Sequence, residues 1–336
     1  FTHAEKDHIE SSLDWYRCLI GSVFPDRGTT YLAVVRRGDQ PVAALWLMHG
    51  NASGNTVEAL SNYYTAIYAP VLAECASAAD LVLIIQALQR KHQALCNIRL
   101  APMDPTSSSY QMLMTALRTA GWMPFEFFCF GNWFHTVLET WPEYLKAREG
   151  AVRSTIKRMG KKFAADGGTL ELICGGADLD IALAAYQEVY AASWKVPEPY
   201  PAFIPSLVYA CAQRGWLRLG VARLAGRAVA AQLWIVAHGK ANIYKLAYHE
   251  DFKSYAPGTL LTALLMQHAL EQDHVREIDY LIGDDAYKKA WVSQRRERWG
   301  IVAYNPRKLA GFMGAARELL GRTFKAVRSR YRRQSG

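Results

Sequence analysis

Cysteine is sparse and unpaired in this sequence. Cys18, Cys75, Cys96, Cys129, Cys174 and Cys211 include no Cys-x-x-Cys pair and none at zinc-ligand spacing with a histidine. That argues against a zinc module and a disulfide scaffold. The thiols read as reduced and mostly buried, with one reactive cysteine as the alternative, and no metal site is expected. Long apolar runs are also missing. The longest uncharged stretch, Ser254 to Leu270, is interrupted by Pro257, Gly258, Gln267 and His268. A spanning helix needs ~20 predominantly apolar residues, so no transmembrane segment is expected. No secretory leader is legible, and the expected location is cytoplasmic. Glycine, proline and charge are unexceptional, which argues against disordered and fibrous classes.

What is present is a chain of 336 residues, 51% hydrophobic, long enough for two domains with a sizeable core. Net charge is +9, from 39 basic and 30 acidic residues. Nine basic residues and one acid, Glu318, lie between Pro306 and Arg333, so that segment carries +8 and the rest +1. Leu309, Phe312, Met313, Ala316, Leu319, Leu320, Phe324, Val327 and Tyr331 recur there at three- and four-residue steps. This pattern predicts a basic amphipathic helix. Such a helix suits an anionic membrane surface. Packing of the apolar face on the second domain, or of the basic face on RNA, are the other readings.

Three segments are expected: a first domain over 1–138, a second over 139–305 and a tail over 306–336. In the first, a helix at Ala4–Leu19 precedes strands at Thr30–Arg36 and Val42–Met48, with Gly38-Asp39-Gln40-Pro41 as the turn. A tyrosine-rich run covers Leu60–Leu72. Helices at Ala79–Ala94 and Tyr110–Ala120 flank a strand at Asn97–Leu100, and an aromatic strand covers Phe125–Val137. The second domain opens with a basic helix, Glu143–Ala165, ended by Gly167-Gly168. A strand at Thr169–Cys174 and helices at Leu179–Trp194 and Ala202–Gln213 follow. Strands at Leu217–Leu224, Ala228–Ala237 and Ala241–Tyr248 come next, then a helix from Pro257 to Gln272. The domain closes with a strand at Glu277–Leu281, a helix at Ala286–Gln294 and a strand at Trp299–Tyr304. Both halves are an α+β pattern of strand meander, helix, strand and helix.

Two stretches carry chemistry. The strand Ala241–Tyr248 runs through His249-Glu-Asp-Phe-Lys-Ser-Tyr-Ala-Pro-Gly-Thr259 into an apolar helix. Pro257 suits a first helical turn and Gly258 lets backbone approach a ligand. The free amides and the dipole of that helix end suit a phosphate, although an ordinary helix start has the same look. Farther on, Glu277-Ile-Asp279-Tyr-Leu-Ile-Gly283-Asp284-Asp285-Ala-Tyr287-Lys288-Lys289-Ala-Trp291 takes a strand through two acids into a helix. Asp284 or Asp285 could equally be a cap.

In this order the pieces resemble the GNAT superfamily, and most the double-GNAT branch of FemAB-like peptidyltransferases and CelD-like acetyltransferase domains. The resemblance rests on Arg153-Ser-Thr-Ile-Lys-Arg158, Tyr190 to Trp194, Tyr244-Lys245, Pro257-Gly258-Thr259-Leu260-Leu261, Asp279 and Gly283-Asp-Asp-Ala-Tyr287-Lys288 with Trp291. It covers about Trp141 to Tyr304, and the N-terminal half in layout only. It implies two tandem GNAT-like domains with mixed, mostly antiparallel sheets flanked by helices. The first copy is expected to be degenerate and to shape the acceptor site. One departure stands out: the usual Arg/Gln-x-x-Gly-x-Gly/Ala pyrophosphate loop is replaced by Ser254-Tyr-Ala-Pro-Gly-Thr259.

The resemblance implies an N-acyltransferase in which an amine attacks a thioester directly. Acyl-CoA is the preferred donor and an acylated carrier protein the other. The donor would rest on Tyr244, Lys245, Ser254, Ala256, Gly258, Thr259 and Leu260. Asp279 is the first candidate base, with Asp284 or His249 next. Tyr248 or Tyr287 would be the acid, and Lys288 and Lys245 would stabilise negative charge. Backbone amides of Ala241–Tyr248 would steady the oxyanion. Each side chain has a plain alternative as a cap, ion-pair partner or core residue. The expected acceptor is an envelope-related sugar or long-chain lipid amine, with the protein peripheral on the inner face of the cytoplasmic membrane. Two rival readings are a FemAB-like transferase using aminoacyl-tRNA, and a non-catalytic envelope or polysaccharide-assembly protein with a decayed fold. The missing coiled-coil arm of some FemAB-like proteins counts against tRNA as a partner.

Overall fold

The computed structural model describes residues 8–24, 30–50 and 54–334, with side chains described as far as residue 323. The chain forms two compact units and threads between them: residues 13–25 and 131–296 make one, and residues 1–12, 26–130 and 297–336 the other. The division expected from the sequence is linear, whereas the chain itself re-enters each unit. The expected opening helix is a single 3₁₀ turn, Ile9–Ser11, followed by α1 (Leu13–Ser22). Its first residues, 4–7, lie outside the described ones. Trp15 of α1 packs edge-on against Phe203, at 5.6 Å between ring centres, so α1 belongs to the unit of residues 131–296.

The unit of residues 26–130 and 297–336 is built on β1 (Thr30–Arg37), β2 (Gln40–His49), β3 (Thr56–Ala59) and β5 (Asn97–Met103). A two-residue β4 (Val71–Leu72) pairs with β2. Strands β1, β2 and β3 are antiparallel in sequence, and β3 to β5 is parallel. Alternation places Leu45, Leu47, Val57, Ile98 and Leu100 on one face, where α2 (Ala78–Lys91) and α3 (Ser108–Thr119) bury Leu81, Ile84, Leu88, Leu113 and Leu117. Helix α2 begins at a Ser77–Asp80 capping box, and Ser107 caps α3 by accepting from the Tyr110 amide at 3.2 Å. The tyrosine-rich run 60–72 is mostly loop.

Strand β6 (Met123–Thr136) carries the chain into the other unit. There follow α4 (Trp141–Lys146), α5 (Gly150–Ala165), β7 (Gly168–Ile173), α6 (Leu179–Ala191) and α7 (Phe203–Gln213). Next come β8 (Leu217–Leu224), β9 (Arg227–Ala237), β10 (Lys240–Tyr248), α8 (Pro257–Glu271) and β11 (Glu277–Asp279). The single basic helix expected over 143–165 is therefore two. It breaks at Ala147–Glu149, where the Arg148 guanidinium turns back to the Trp291 carbonyl at 2.8 Å and Glu149 is extended.

In this unit the strands lie in the order β6-β11-β10-β9-β8-β7, antiparallel except for β10–β11. Strand β9 is buried along nearly its whole length because α6 and α8 both pack on it. That explains its nearly unbroken apolar run. Gly220 is the bare spot that lets α8 close on β8: a Cβ there would sit 2.9 Å from Leu265 Cδ1. The helix expected at 286–294 is a short 3₁₀ turn, Ala286–Ala290, and β12 (Gln294–Tyr304) starts earlier than expected.

Strand β12 returns the chain to the first-described unit, where it pairs antiparallel with β5, and α9 (Leu309–Gln334) follows. The tail is helical as the periodicity predicts, but the edge it packs with is not the apolar stripe. Gly311 would place a Cβ 2.2 Å from the Asn305 carbonyl oxygen and Gly314 one 2.5 Å from the Tyr304 ring, while Ala315 is buried. Small residues make that contact. Leu309, Phe312, Met313, Leu319 and Leu320 are exposed, the first at 78% and the last at 70%. The side chains of Phe324, Val327 and Tyr331, and the basic residues from Lys325 onward, lie outside the described ones. Among the described residues no helix is long and apolar enough to cross a membrane.

Candidate active site

Strands β10 and β11 pair through only three residues each, Lys240–Asn242 with Glu277–Asp279. Beyond Asn242 the pairing stops because β11 ends at Asp279. On its other side β10 slips register against β9 between Ile243 and Lys245, so Tyr244 stands as an extra residue in the ladder. The slip re-aims Tyr244 and Lys245, and Tyr244 meets Trp15 at 6.2 Å between rings.

The end of β10 leads through a 3₁₀ turn, Glu250–Tyr255, to the start of α8. Ser254, expected in a phosphate loop, is an exposed member of that turn. Ala256 then takes a left-handed conformation, φ 50°, and no side chain caps the helix. A non-glycine residue held there costs of order 1–3 kcal/mol, so surrounding structure must impose it. Pro257 is buried in the first turn, and Leu260 and Leu261 anchor the helix in the core. Gln232, at 1% exposure, donates to the Gly258 carbonyl at 2.8 Å and to Thr262 Oγ1 at 2.9 Å, and accepts from Trp234 Nε1. A buried amide thus fixes the mouth of α8 from below. The first-turn amides face outward with no helical acceptor ahead of them. A Cβ on Gly258 would make only ordinary contact with Tyr248, so the cradle is open.

Asp279 is buried on β11. It accepts from Asn132 Nδ2 at 2.5 Å and from the Leu281 amide at 2.6 Å, and it is ion-paired with Arg296. Arg296 also reaches Glu277 at 2.8 Å and donates to Asn132 Oδ1 at 2.6 Å. As placed, Asp279 has a full set of partners. The network holds Leu281 left-handed, φ 52°, where the chain leaves the sheet. Lys288 is buried too, and donates to the carbonyls of Ile282 at 2.7 Å and Gly283 at 3.1 Å while pairing with Asp285 at 3.1 Å. Burial lowers its pKa, and Asp285 partly offsets that. It ties the 280–285 loop to the turn that follows.

Asp284 receives a two-pronged contact from Arg295 and a 2.5 Å bond from Trp133 Nε1. Arg295 and then Trp133 hold its carboxyl below the usual carboxylate range. His249 lies between Arg227, 3.0 Å from Nε2, and the Asp251 amide, which donates to Nδ1 at 3.3 Å. Tyr248 lies 4.6 Å from Trp194 between ring centres with the planes tilted by 49°, and partial burial pushes its phenol up. Tyr287 meets Tyr280 edge-on at 6.1 Å, and burial with Asp285 nearby raises its phenol as well. The predicted residues therefore fall into four places: Tyr244, Lys245 and Tyr248 on β10, His249 and Ser254 at the 3₁₀ turn after it, the cradle from Ala256 to Leu260, and the Asp279–Lys288 loop.

A cavity of about 280 Å³ lies between the end of α6 and the proline-rich stretch before α7, lined among others by Tyr186, Tyr190, Lys195 and Glu198. Glu198 accepts from Lys245 Nζ at 2.6 Å, which couples this cavity to β10. Tyr190 falls in the Tyr190 to Trp194 stretch of the resemblance, but Tyr186, Lys195 and Glu198 escaped the sequence reading. The one signal was a lysine followed closely by the cluster Pro197-Glu-Pro-Tyr-Pro201. Among the described residues no group of three or more histidine, cysteine or acidic side chains converges as for a metal ion.

Residues 150–289 match the model of the acetyltransferase (GNAT) domain. No curated protein matches the chain in sequence. In structure it is similar to FemX, with TM-score 0.61 and 12% identity over 91% of this chain and 95% of that one. It is similar to the C-terminal domain assigned to a lysylphosphatidylglycerol synthetase of Agrobacterium fabrum, with TM-score 0.55 and 15% identity over 96% and 94%. It is also similar to L-PGS from Bacillus licheniformis, with TM-score 0.51 and 12% identity over 88% and 90%.

Proposed function

From the premise that the chain carries a GNAT acyltransferase domain in a FemAB-like fold, we propose that it is an N-acyltransferase using a thioester donor, acyl-CoA by preference. The observation that carries this is that β10 runs on to Tyr248 after β11 has ended opposite Asn242, and leads to a helix start with no side-chain cap. The pyrophosphate of the donor would lie on the first turn of α8, at Gly258 and Thr259, where amides and helix dipole favour an anion. The thioester would run along β10 beside Tyr244 and Lys245, its carbonyl oxygen meeting backbone amides of the part of β10 that extends past the end of β11. The amine nitrogen bonds to the acyl carbon, the carbon–sulfur bond breaks, and the thiolate leaves.

Positioning can supply much of the rate for such a reaction. Of the acids considered, Asp279 is committed to Arg296 and Asn132, and Asp284 to Arg295 and Trp133, so both support the loop. We assign Lys288 the same supporting role. We assign the proton of the amine to Glu198, which lines the cavity and is paired with Lys245, and the proton returned to the leaving thiolate to Tyr248. His249 is the second candidate base.

The acceptor, on this reading, is an amine of the cell envelope, a sugar or a long-chain lipid amine, met at an anionic membrane surface. The exposed apolar stripe of α9 supports that contact, since its small-residue edge already makes the packing within its own unit. The test is thiol release from acetyl-CoA with a panel of amines. Glu198→Gln is expected to lower kcat by 10²-fold or more, in the range of general base catalysis. Acylation of the amine that requires charged tRNA instead of acetyl-CoA, with no thiol released, would replace this reading with the aminoacyl-tRNA one.

A further inference from the structure

The cavity beside Glu198 contains more than a base. Tyr186 is 3% exposed and lines it, yet its Oη is buried with no hydrogen-bond partner among the described residues. A buried hydroxyl left unmade is costly, so its partner is expected to arrive with a ligand. Lys195 lines the same cavity. Its ammonium lies 5.8 Å from both the Tyr190 and Trp194 rings, and among the described residues it has no carboxylate within ion-pair distance. Glu198, the nearest carboxylate in the wall, is already paired with Lys245 at 2.6 Å. One ammonium and one hydroxyl, neither with a hydrogen-bond partner among the described residues, thus belong to side chains that line the same cavity.

We propose that this cavity binds an oxyanion, a carboxylate or phosphate carried by the acceptor, with Lys195 Nζ and Tyr186 Oη as its donors. The inference rests on the acyl-transfer reading only in assigning the anion to the acceptor; the binding site stands on the cavity itself. A hydrogen bond with an ionised donor or acceptor is the stronger kind, so the Lys195 ammonium and the neutral Tyr186 hydroxyl would both bond strongly to an anion. An acceptor with an amine and an anionic group would then span Glu198 and Lys195, while a neutral amine would leave both donors unused.

The full chain is titrated calorimetrically with acetate and with inorganic phosphate at constant ionic strength, and separately with coenzyme A. The wild type is expected to bind at least one of the two anions saturably, and the tighter one names the class. Lys195→Ala should weaken that binding at least tenfold and Lys195→Arg should largely restore it. Coenzyme A affinity should stay unchanged in both. Tyr186→Phe should raise the melting temperature without anion, because it removes an unsatisfied hydroxyl, and should reduce the stabilisation the anion confers. Anion binding that is absent, or equal in wild type and Lys195→Ala, overturns the proposal. Failure of coenzyme A to bind, with Lys195-dependent anion binding intact, overturns the donor reading and leaves this site standing.

Discussion

Asp279 of β11 and Arg296 at the start of β12 form an ion pair, and Asn132 of β6 bonds to both of them. Three strands are locked at one point just where the chain turns out of the sheet towards the 280–285 loop. Removing Arg296 leaves the Asp279 carboxylate buried without its counter-ion, which typically costs about 3–5 kcal/mol, whereas Asp279→Asn leaves Arg296 paired with Glu277. Arg296→Met is expected to destabilise by about that amount and Asp279→Asn by less, and the double variant by clearly less than their sum. Chemical denaturation of the four proteins tests it. Additive losses would mean that the pair is not coupled.

The mouth of α8 depends on Gln232. Gln232→Leu would strip the Gly258 carbonyl and Thr262 of a donor and leave Trp234 Nε1 without an acceptor. A stability loss of about 1–3 kcal/mol is expected from the unmet groups. Donor affinity should fall about tenfold, since the first-turn amides would no longer be held. Calorimetry with coenzyme A on folded variant protein measures it.

Lys195 supplies a pH signature. Burial lowers its pKa below the ordinary 10.5, and the neighbouring Lys245 and Lys288 push the same way against Glu198 and Asp285. The charged form holds the anion. Acetate binding should therefore be complete at neutral pH and be lost as pH rises through the folded pKa, below the usual lysine range. Over the window between that value and 10.5 the unfolded chain binds more protons, so this group makes stability rise with pH. Lys195→Arg should keep acetate binding flat across the same range.

The exposed stripe of α9 predicts membrane contact without a change in folding. Phe312→Asp with Leu319→Asp should abolish co-sedimentation with anionic vesicles and leave the melting temperature within about 2 °C, as surface substitutions usually do. Both positions are exposed, so the test avoids deleting a helix whose glycines pack on Tyr304 and Asn305. Binding to the vesicles should also weaken with salt.

The strands from Leu217 to Tyr248 and the start of α8 were legible because their signals are local. Apolar runs stand between Gly226 and Gly239, and Pro257-Gly258 marks the helix start. The threading of α1 into one unit and of β12 and α9 into the other was not, since it depends on contacts such as Trp15 with Phe203 across a long sequence separation. The same reason hid the commitments of Asp279. Its partners, Asn132 and Arg296, sit on separate strands, and nothing near residue 279 announces them. Tyr186 lies in a helix that the sequence predicts, and it is buried there. Only the cavity shows that its hydroxyl has nowhere to go. In α9 the periodicity identified the apolar stripe correctly, but the contact is made by the glycines between its members.

The account stands or falls on the first turn of α8. Gly258→Asp is sterically mild, because a Cβ there meets only Tyr248 at 3.5 Å, and an acid near a helix start is favourable for the helix itself. It would, however, set a carboxylate against the donor phosphates. Calorimetric titration with acetyl-CoA should show saturable binding to the wild type, weakened in Gly258→Asp by about 100-fold, roughly 2.8 kcal/mol. Absence of binding to the wild type, or equal binding to both proteins, would contradict the account.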